Sequence, residues 1–222
     1  DSAMSGDSPV KNWGGVGPVD FPSGKDAFRD EVVMTWEKKK YPCWKCNIGC
    51  GGWMEVEEGM YKGTATHKVE YETACAFGTL CLNDDVPSLI KANDIVNRMG
   101  LDSISAPAVV AFAIECYENG ILTDKDTGGL KLKWGNFPDM VRLLEQIGKR
   151  EGLGDILAEG VWRAAQKIGR GAEKYAVHVH GQEVPMHDPR FTPGLALTYK
   201  MDSTPGRHTQ GGELVGPLGV KL

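Results

Sequence analysis

No apolar run in this sequence approaches the roughly 20 residues that a membrane-spanning helix needs. An excess of positive charge is lacking too. Lys and Arg number 25 against 30 Asp and Glu, a formal net charge of −5. A nucleic-acid or anionic-membrane partner, which would call for clustered basic residues, is therefore not expected. The opening residues, DSAMSGDSPVKNW, hold no basic segment followed by an apolar one, so no secretory leader is recognised. They also lack an initiator Met, which points to a processed or partial chain with the cytoplasm as default compartment. Internal repeats and low-complexity tracts are absent. The 29 glycines and 12 prolines are scattered, as in a loop-rich fold. With 222 residues, 41% of them hydrophobic and 25% charged, the chain has the composition of a globular protein with room for one good core.

Hydrophobic periodicity predicts a mainly α fold with few short strands. Residues 1–23 read as an extended arm. The segment 25–40 carries Phe28, Val32, Val33 and Trp36 at helical spacing. Residues 52–56 (GWMEV) read as a short strand. A helix over 87–100 has Asp85 as cap, Pro87 at its opening and Gly100 at its close. Its inner stripe is Leu89, Ala92, Val96 and Met99. The stretch 106–120 is apolar nearly all round and predicts a buried helix. Further helices are expected over 137–152 and 154–171, the latter with Ile156, Leu157, Val161, Ala164 and Ile168 inward. Residues 174–185 alternate like a strand, and from residue 186 onward the chain reads as loops.

Six cysteines are present, and three of them, Cys43, Cys46 and Cys50, lie in the run CWKCNIGC followed by Gly51 and Gly52. Without a secretory signal, such clustering reads as metal binding and not as a disulfide framework. The C-x2-C spacing turns two thiolates toward one metal. Zinc sites usually add a second knuckle or a paired histidine motif, and neither follows here. Three closely spaced thiolates suit three corners of a cubane iron–sulfur cluster, and Gly49, Gly51 and Gly52 would let the main chain wrap it and aim N–H groups at sulfide. A zinc site or unrelated thiols remain the alternatives. Cys75, Cys81 and Cys116 are candidates for a fourth ligand, although buried core thiols are the simpler reading.

Six stretches, CWKCNIGC (43–50), VEYET (69–73), NRMGLDSIS (97–105), KREGLGDILAEG (149–160), VPMHDPR (184–190) and TPGRH (204–208), stand in the order and spacing of one family. The sequence resembles the tungsten-containing aldehyde ferredoxin oxidoreductases over nearly its whole length. The resemblance implies the helical second domain over 1–177 and the start of a truncated third domain over 178–222. Nothing here matches the family's opening β-rich domain, which forms a base for the metal cofactor. It also implies that Cys43, Cys46 and Cys50 hold a [4Fe–4S] cluster whose fourth cysteine lies beyond this chain.

The resemblance extends to a tungsten (or molybdenum) ion held by the dithiolenes of two pterins, with no side-chain ligand. Glu72 matches a glutamate near the metal, where a carboxylate can orient or deprotonate water. Glu70 is the rival, because on a strand the two would share a face. His208 matches a histidine that reaches the metal from the third domain and can pass protons. His67, His178, His180 and His187 have no such match and read as structural or exposed. Asn97, Leu101 and Asp102 match the pterin-binding motif, with Asn97 standing where the family commonly has Asp. Lys91 and Asp94 occupy positions at which some members carry a subunit-bridging metal site, so that route to a dimer is absent. Trp44 could shield the cluster from water.

The implied activity is oxidation of a small aldehyde to a carboxylic acid, with electrons leaving through the cluster to a ferredoxin or similar acceptor. Two alternatives are reduction of an aromatic acyl-thioester and a non-catalytic iron–sulfur or metal-binding module. The 222 residues alone are expected to be inactive, because the missing domains carry half the pterin cradle.

Overall fold

The computed structural model describes residues 5–208. The architecture is mainly α, with one small sheet. No helix among the described residues is long and apolar enough to cross a membrane. The sheet is antiparallel, in the order β1 (Glu37–Tyr41), β2 (Gly51–Glu55), β3 (Ala65–His67). The longer helices are α1 (Tyr71–Phe77), α2 (Val86–Met99), α3 (Ser105–Glu118), α4 (Phe137–Lys149), α5 (Leu153–Leu157), α6 (Val161–Ile168) and α7 (Gly194–Met201).

Helix α2 follows its punctuation. Asp85 caps it by accepting from the Ser88 N–H at 2.8 Å. Gly100 ends it at φ 66°, and the Leu101 N–H turns back to the Val96 carbonyl at 2.9 Å. Of the expected inner stripe, Leu89, Ala92 and Val96 are buried, whereas Met99 lies at the surface. Helix α3 is the axis of the core. Its residues from Ala106 to Ile114 are all buried, and Phe112 and Ile114 are fully enclosed among Leu143, Leu157, Val161 and Ala164. On one side α2 packs on α4 through Leu89, Val96, Val141 and Leu144. On the other face of α2, Val86 and Ile90 pack with Met54 of β2 and with Val56 just beyond it. Cys75, Cys81 and Cys116 are buried, as core thiols should be. Burial raises the Cys75 and Cys116 thiols to about 12 and pushes Cys81 up as well.

Four expectations need correction. The segment 25–40 is not one helix. It breaks into single turns at Gly24–Ala27 and Asp30–Val33 and a 3-10 turn at Met34–Trp36, then becomes β1. Pairing with β2 claims the Lys-rich end, while Phe28, Val33 and Trp36 still pack on the core. The helix over 154–171 is two helices. Gly160 sits at φ 83°, ψ 163°, a conformation for glycine alone, and the buried Glu183 carboxylate accepts from the Val161 N–H that opens α6. Residues 174–185 form a 3-10 turn and one bridge between Val179 and Gln182, closed by His180 and Gly181 at positive φ. That is a tight hairpin turn, with no neighbouring strand among the described residues to extend it. After residue 186 a helix, α7, follows Pro193, and Leu195 and Tyr199 on it bury against Val184. The part of the expected loop beyond residue 208 lies outside the described residues.

Candidate functional site

The cysteine run is the turn between β1 and β2. Pairing of Tyr41 with Gly51 and of Lys40 with Gly52 brings its two ends together. The two glycines serve this pairing. A Cβ on Gly51 would stand 2.7 Å from the Tyr41 carbonyl oxygen, and one on Gly52 2.3 Å from the Glu37 carboxylate. Within the turn the Cys46 N–H donates to the Cys43 carbonyl at 2.9 Å, and Lys45 and Gly49 adopt positive φ. The main-chain N–H groups of Ile48 and Gly49 point at Cys46 sulfur and hold its pKa below the ordinary thiol value. A loop that stabilises a thiolate with amides fits an iron–sulfur cluster, since its sulfurs need the same N–H groups. Cys43 and Cys50 are exposed. Trp44 is 87% exposed and covers no cysteine in this structure; its ring instead meets the Lys45 ammonium.

Glu72 lies in the first turn of α1, with Glu70 just before the helix, so the two do not share a strand face. The carboxylate of Glu72 faces inward. Oε2 accepts from the Met186 N–H at 2.7 Å. Oε1 is buried and has no hydrogen-bond partner. His208 Nε2 lies 3.5 Å from it and His187 Nε2 3.6 Å. Desolvation raises the Glu72 pKa and the Asp7 charge adds to it, against the lowering effect of the Met186 amide, His187 and Arg207. His187 is held firmly. Its Nδ1–H donates to Asp7 Oδ2 at 2.8 Å, and its ring stacks on Tyr71 with centroids 4.8 Å apart. Burial alone would lower the His187 pKa, but the Asp7 hydrogen bond and the charges of Asp7 and Glu72 outweigh it and the pKa is raised.

The structure thus brings Glu72 and His208 together, as the sequence implied, and adds His187, which had been read as structural or exposed. The VPMHDPR stretch explains why it arrives there. Asp188 and Arg190 form a forked ion pair, Arg190 reaches the Gly15 carbonyl at 2.9 Å, and the Asp188 N–H donates to the Asp7 carbonyl at 2.7 Å. Tyr71 also donates to the Met186 carbonyl at 2.7 Å. The arm, α1 and the 184–190 segment are therefore laced into one wall, and residue 187 points to its centre. His67, His178 and His180 stay away from it: His67 stands edge-on to Trp53, and His178 accepts from the Gly181 N–H.

Asn97 and Asp102 lie at the exposed C-terminal end of α2 and beyond it, with the half-buried Leu101 between them. Asp102 Oδ1 accepts from the Ile104 and Ser105 N–H groups at 2.9 and 2.7 Å, which opens α3. Its Oδ2 lies 4.0 Å from the Arg207 guanidinium, next to His208. Asn97 makes one long contact, 3.5 Å to Thr66. These exposed polar groups fit a ring of pterin type bearing N–H donors, and the unpartnered, buried Glu72 oxygen fits a group that brings protons or positive charge. Lys91 and Asp94 form an ion pair within α2, with Arg98 as a second partner of Asp94. A separate cleft of about 420 Å³ opens beside Val69, Glu70 and Tyr71; the Glu72 carboxylate does not line it.

Known proteins resemble this chain over most of its length. A family model described as aldehyde ferredoxin oxidoreductase, domains 2 and 3, matches residues 2–221. The tungsten-containing aldehyde ferredoxin oxidoreductase of Pyrococcus furiosus is 35% identical over 202 residues, which is 90% of this chain and 32% of that protein. The aliphatic sulfonate oxidoreductase WOR-like subunit of the same organism is 36% identical over 217 residues, 92% of this chain and 32% of that protein. Among solved structures, the active site complex BamBC of benzoyl coenzyme A reductase, in complex with 1,5-dienoyl-CoA, superposes with a TM-score of 0.67 at 27% identity. That match covers 91% of this chain and 30% of the other. The chain therefore spans about a third of the length of the curated relatives it matches.

Proposed function

The chain belongs to the aldehyde ferredoxin oxidoreductase family, a family of tungsten-containing oxidoreductases, and from that premise we propose that it is the cluster-bearing part of an enzyme oxidising aldehydes to carboxylic acids. The enzyme would carry a tungsten (or molybdenum) bis-pterin group and pass electrons through a [4Fe–4S] cluster to a ferredoxin or similar acceptor. One observation carries this reading: a buried Glu72 oxygen without a hydrogen bond faces two imidazole nitrogens.

When bound, the metal–pterin group supplies a two-electron acceptor and the cluster a one-electron exit. The overall change adds water to the aldehyde and releases an acid, two electrons and two protons. Glu72 is suited to take up one of those protons at Oε1, because its raised pKa lets it hold a proton that an ordinary glutamate would release. His208 Nε2, at 3.5 Å, can hydrogen-bond a carbonyl oxygen brought to the same place. Asn97, Leu101 and Asp102 would hold pterin through side-chain and main-chain acceptors. Cys43, Cys46 and Cys50 would supply three cluster thiolates, with the fourth from the part of the protein beyond this chain.

The test uses the full-length protein, kept anaerobic and given ferredoxin and a panel of short aldehydes. Aldehyde-dependent ferredoxin reduction is expected, and its loss on Glu72→Gln should leave the iron content unchanged. A second reading, reduction of an aromatic acyl-thioester, is favoured by the likeness to the benzoyl coenzyme A reductase complex. A full-length protein that is indifferent to every aldehyde but turns over such a thioester with a low-potential donor would replace the first reading by the second.

A further inference from the structure

We propose that the basic strand and turn around the cysteines, Lys39, Lys40 and Lys45 with Trp44 and Ile48, form the docking surface for a small acidic electron-carrier protein. The proposal rests on the reading of the turn as a cluster site and names the face through which electrons leave. Charge, apolar exposure and position each point to it.

The chain as a whole is acidic, with a net charge of −5, yet residues 38–50 hold four lysines and no Asp or Glu. The fold gives one of the four a carboxylate, Lys38, whose Nζ lies 2.8 Å from Glu57. Lys39, Lys40 and Lys45 are exposed and form no ion pair with a carboxylate among the described residues. Lysine is a poor strand former, and three in succession on β1 repel one another. β1 is an edge of the sheet, where lysine guards against pairing with another chain. That role does not reach Lys45, which stands on the turn.

Nor does guarding an edge call for Trp44 and Ile48, the two most exposed large hydrophobic side chains among the described residues. The Lys45 ammonium rides on the Trp44 ring, 4.4 Å from its centroid, so a cation flanks the apolar group. An aromatic centre with a polar rim is the anatomy of a protein interface. Position completes the case. Lys40 and Lys39 precede Cys43 by three and four residues, about 13 Å or less along an extended chain. Trp44 and Lys45 lie between Cys43 and Cys46. A carrier seated on these residues is held beside the thiolates. Redox encounters are small and brief, so charge that speeds arrival suits them better than a large apolar seal. A carrier with carboxylates around its own redox centre complements these ammonium groups.

The test is calorimetric binding of an oxidised, acidic [4Fe–4S] ferredoxin to the full-length protein, kept anaerobic, at low and at high salt. Binding is expected at low salt and should weaken about tenfold or more when salt is raised to about 0.5 M. Lys39→Glu, Lys40→Glu and Lys45→Glu together should weaken it about 10–100-fold at low salt, with iron content at the wild-type level. The same charge change outside the hairpin, Lys125→Glu, Lys149→Glu and Lys167→Glu, should alter affinity by no more than about twofold. The set Lys39→Gln, Lys40→Gln and Lys45→Gln serves if charge reversal costs iron or native circular dichroism. No binding by the wild-type protein, binding indifferent to salt, or equal weakening by the hairpin set and the distant set would overturn the proposal. Aldehyde turnover with a small neutral acceptor, measured in parallel, keeps the two readings apart. Turnover without carrier binding removes the docking surface alone, and carrier binding without turnover removes the aldehyde reaction alone.

Discussion

Cys43, Cys46 and Cys50 sit on one turn between two paired strands, at the surface. Glu72, His187 and His208 come from a helix, a loop and the end of the described chain, and they meet in a half-buried wall. The first group needs only a hairpin to be positioned. The second exists only when Asp7, Tyr71 and the 184–190 segment have packed together. Electrostatics divide the same way. At the turn, exposed main-chain amides lower a thiol pKa. In the wall, desolvation raises a carboxylate pKa. One region favours an anion, and the other favours a protonated carboxyl group. Local chemistry thus follows local structure in the hairpin and tertiary structure in the wall.

The two regions should fail separately. The largest effect is expected from Glu72→Gln in the full-length enzyme, a loss of about 10²–10⁴-fold in turnover by the usual worth of a general acid–base group. Iron content should stay at the wild-type level, and a parallel loss of iron would show the regions to be coupled. Next, Cys46→Ser should remove nearly all cluster iron from the anaerobically purified protein. Its far-ultraviolet circular dichroism should not change, because the strand pairing does not depend on the sulfur.

Glu183→Ala tests the frame that both regions share. Glu183 accepts from the Val161 N–H at 2.7 Å and from the Ser105 hydroxyl at 2.8 Å, both at helix openings. Leaving these donors unpaired should cost about 2–4 kcal/mol in urea unfolding. A smaller effect concerns pH. Glu72 and His187 both have folded-state pKa values above their ordinary ones, 4.5 and 6.5. Each stabilises the fold fully below its ordinary value and loses that contribution as pH rises through its folded value. The thermal midpoint should therefore decline from pH 4.5 upward. Glu72→Gln should flatten the lower part of the decline, and His187→Phe the upper part. The smallest effect belongs to the hairpin tip, where Trp44→Ala should change stability by no more than about 0.5 kcal/mol.

Much of the scaffold was legible in the sequence because its signals are local. Asp85, Pro87 and Gly100 delimit α2, and the unbroken apolar run of α3 announces the core. The cysteine spacing likewise is contained within eight residues, on what the structure forms as a single turn. The segment 25–40 misled because a helical period also suits short turns that pack on a core, and pairing with β2 lies outside its own residues. Residues 174–185 alternate without a partner strand, which no local pattern reveals. In the wall, Glu72 and His208 were found only through family resemblance. His187 was missed because the resemblance gave it no counterpart. Its neighbour Asp188 was the available clue, since an Asp–Pro–Arg turn anchored to the arm fixes the direction of the residue before it.

The hairpin bears on how the protein matures. Its strands pair at both ends of the turn, and the Cys43 and Cys50 thiols are exposed. Under the proposed function, a hairpin already shaped by its strand pairing would receive iron and sulfide at open thiols. Trp44 and Ile48, 87% and 83% exposed, stand as apolar groups at its rim. The same openness leaves the Cys43 and Cys50 thiols accessible to oxidants. Delivery of iron and sulfide, on that reading, would compete with oxidation of the same thiols in time.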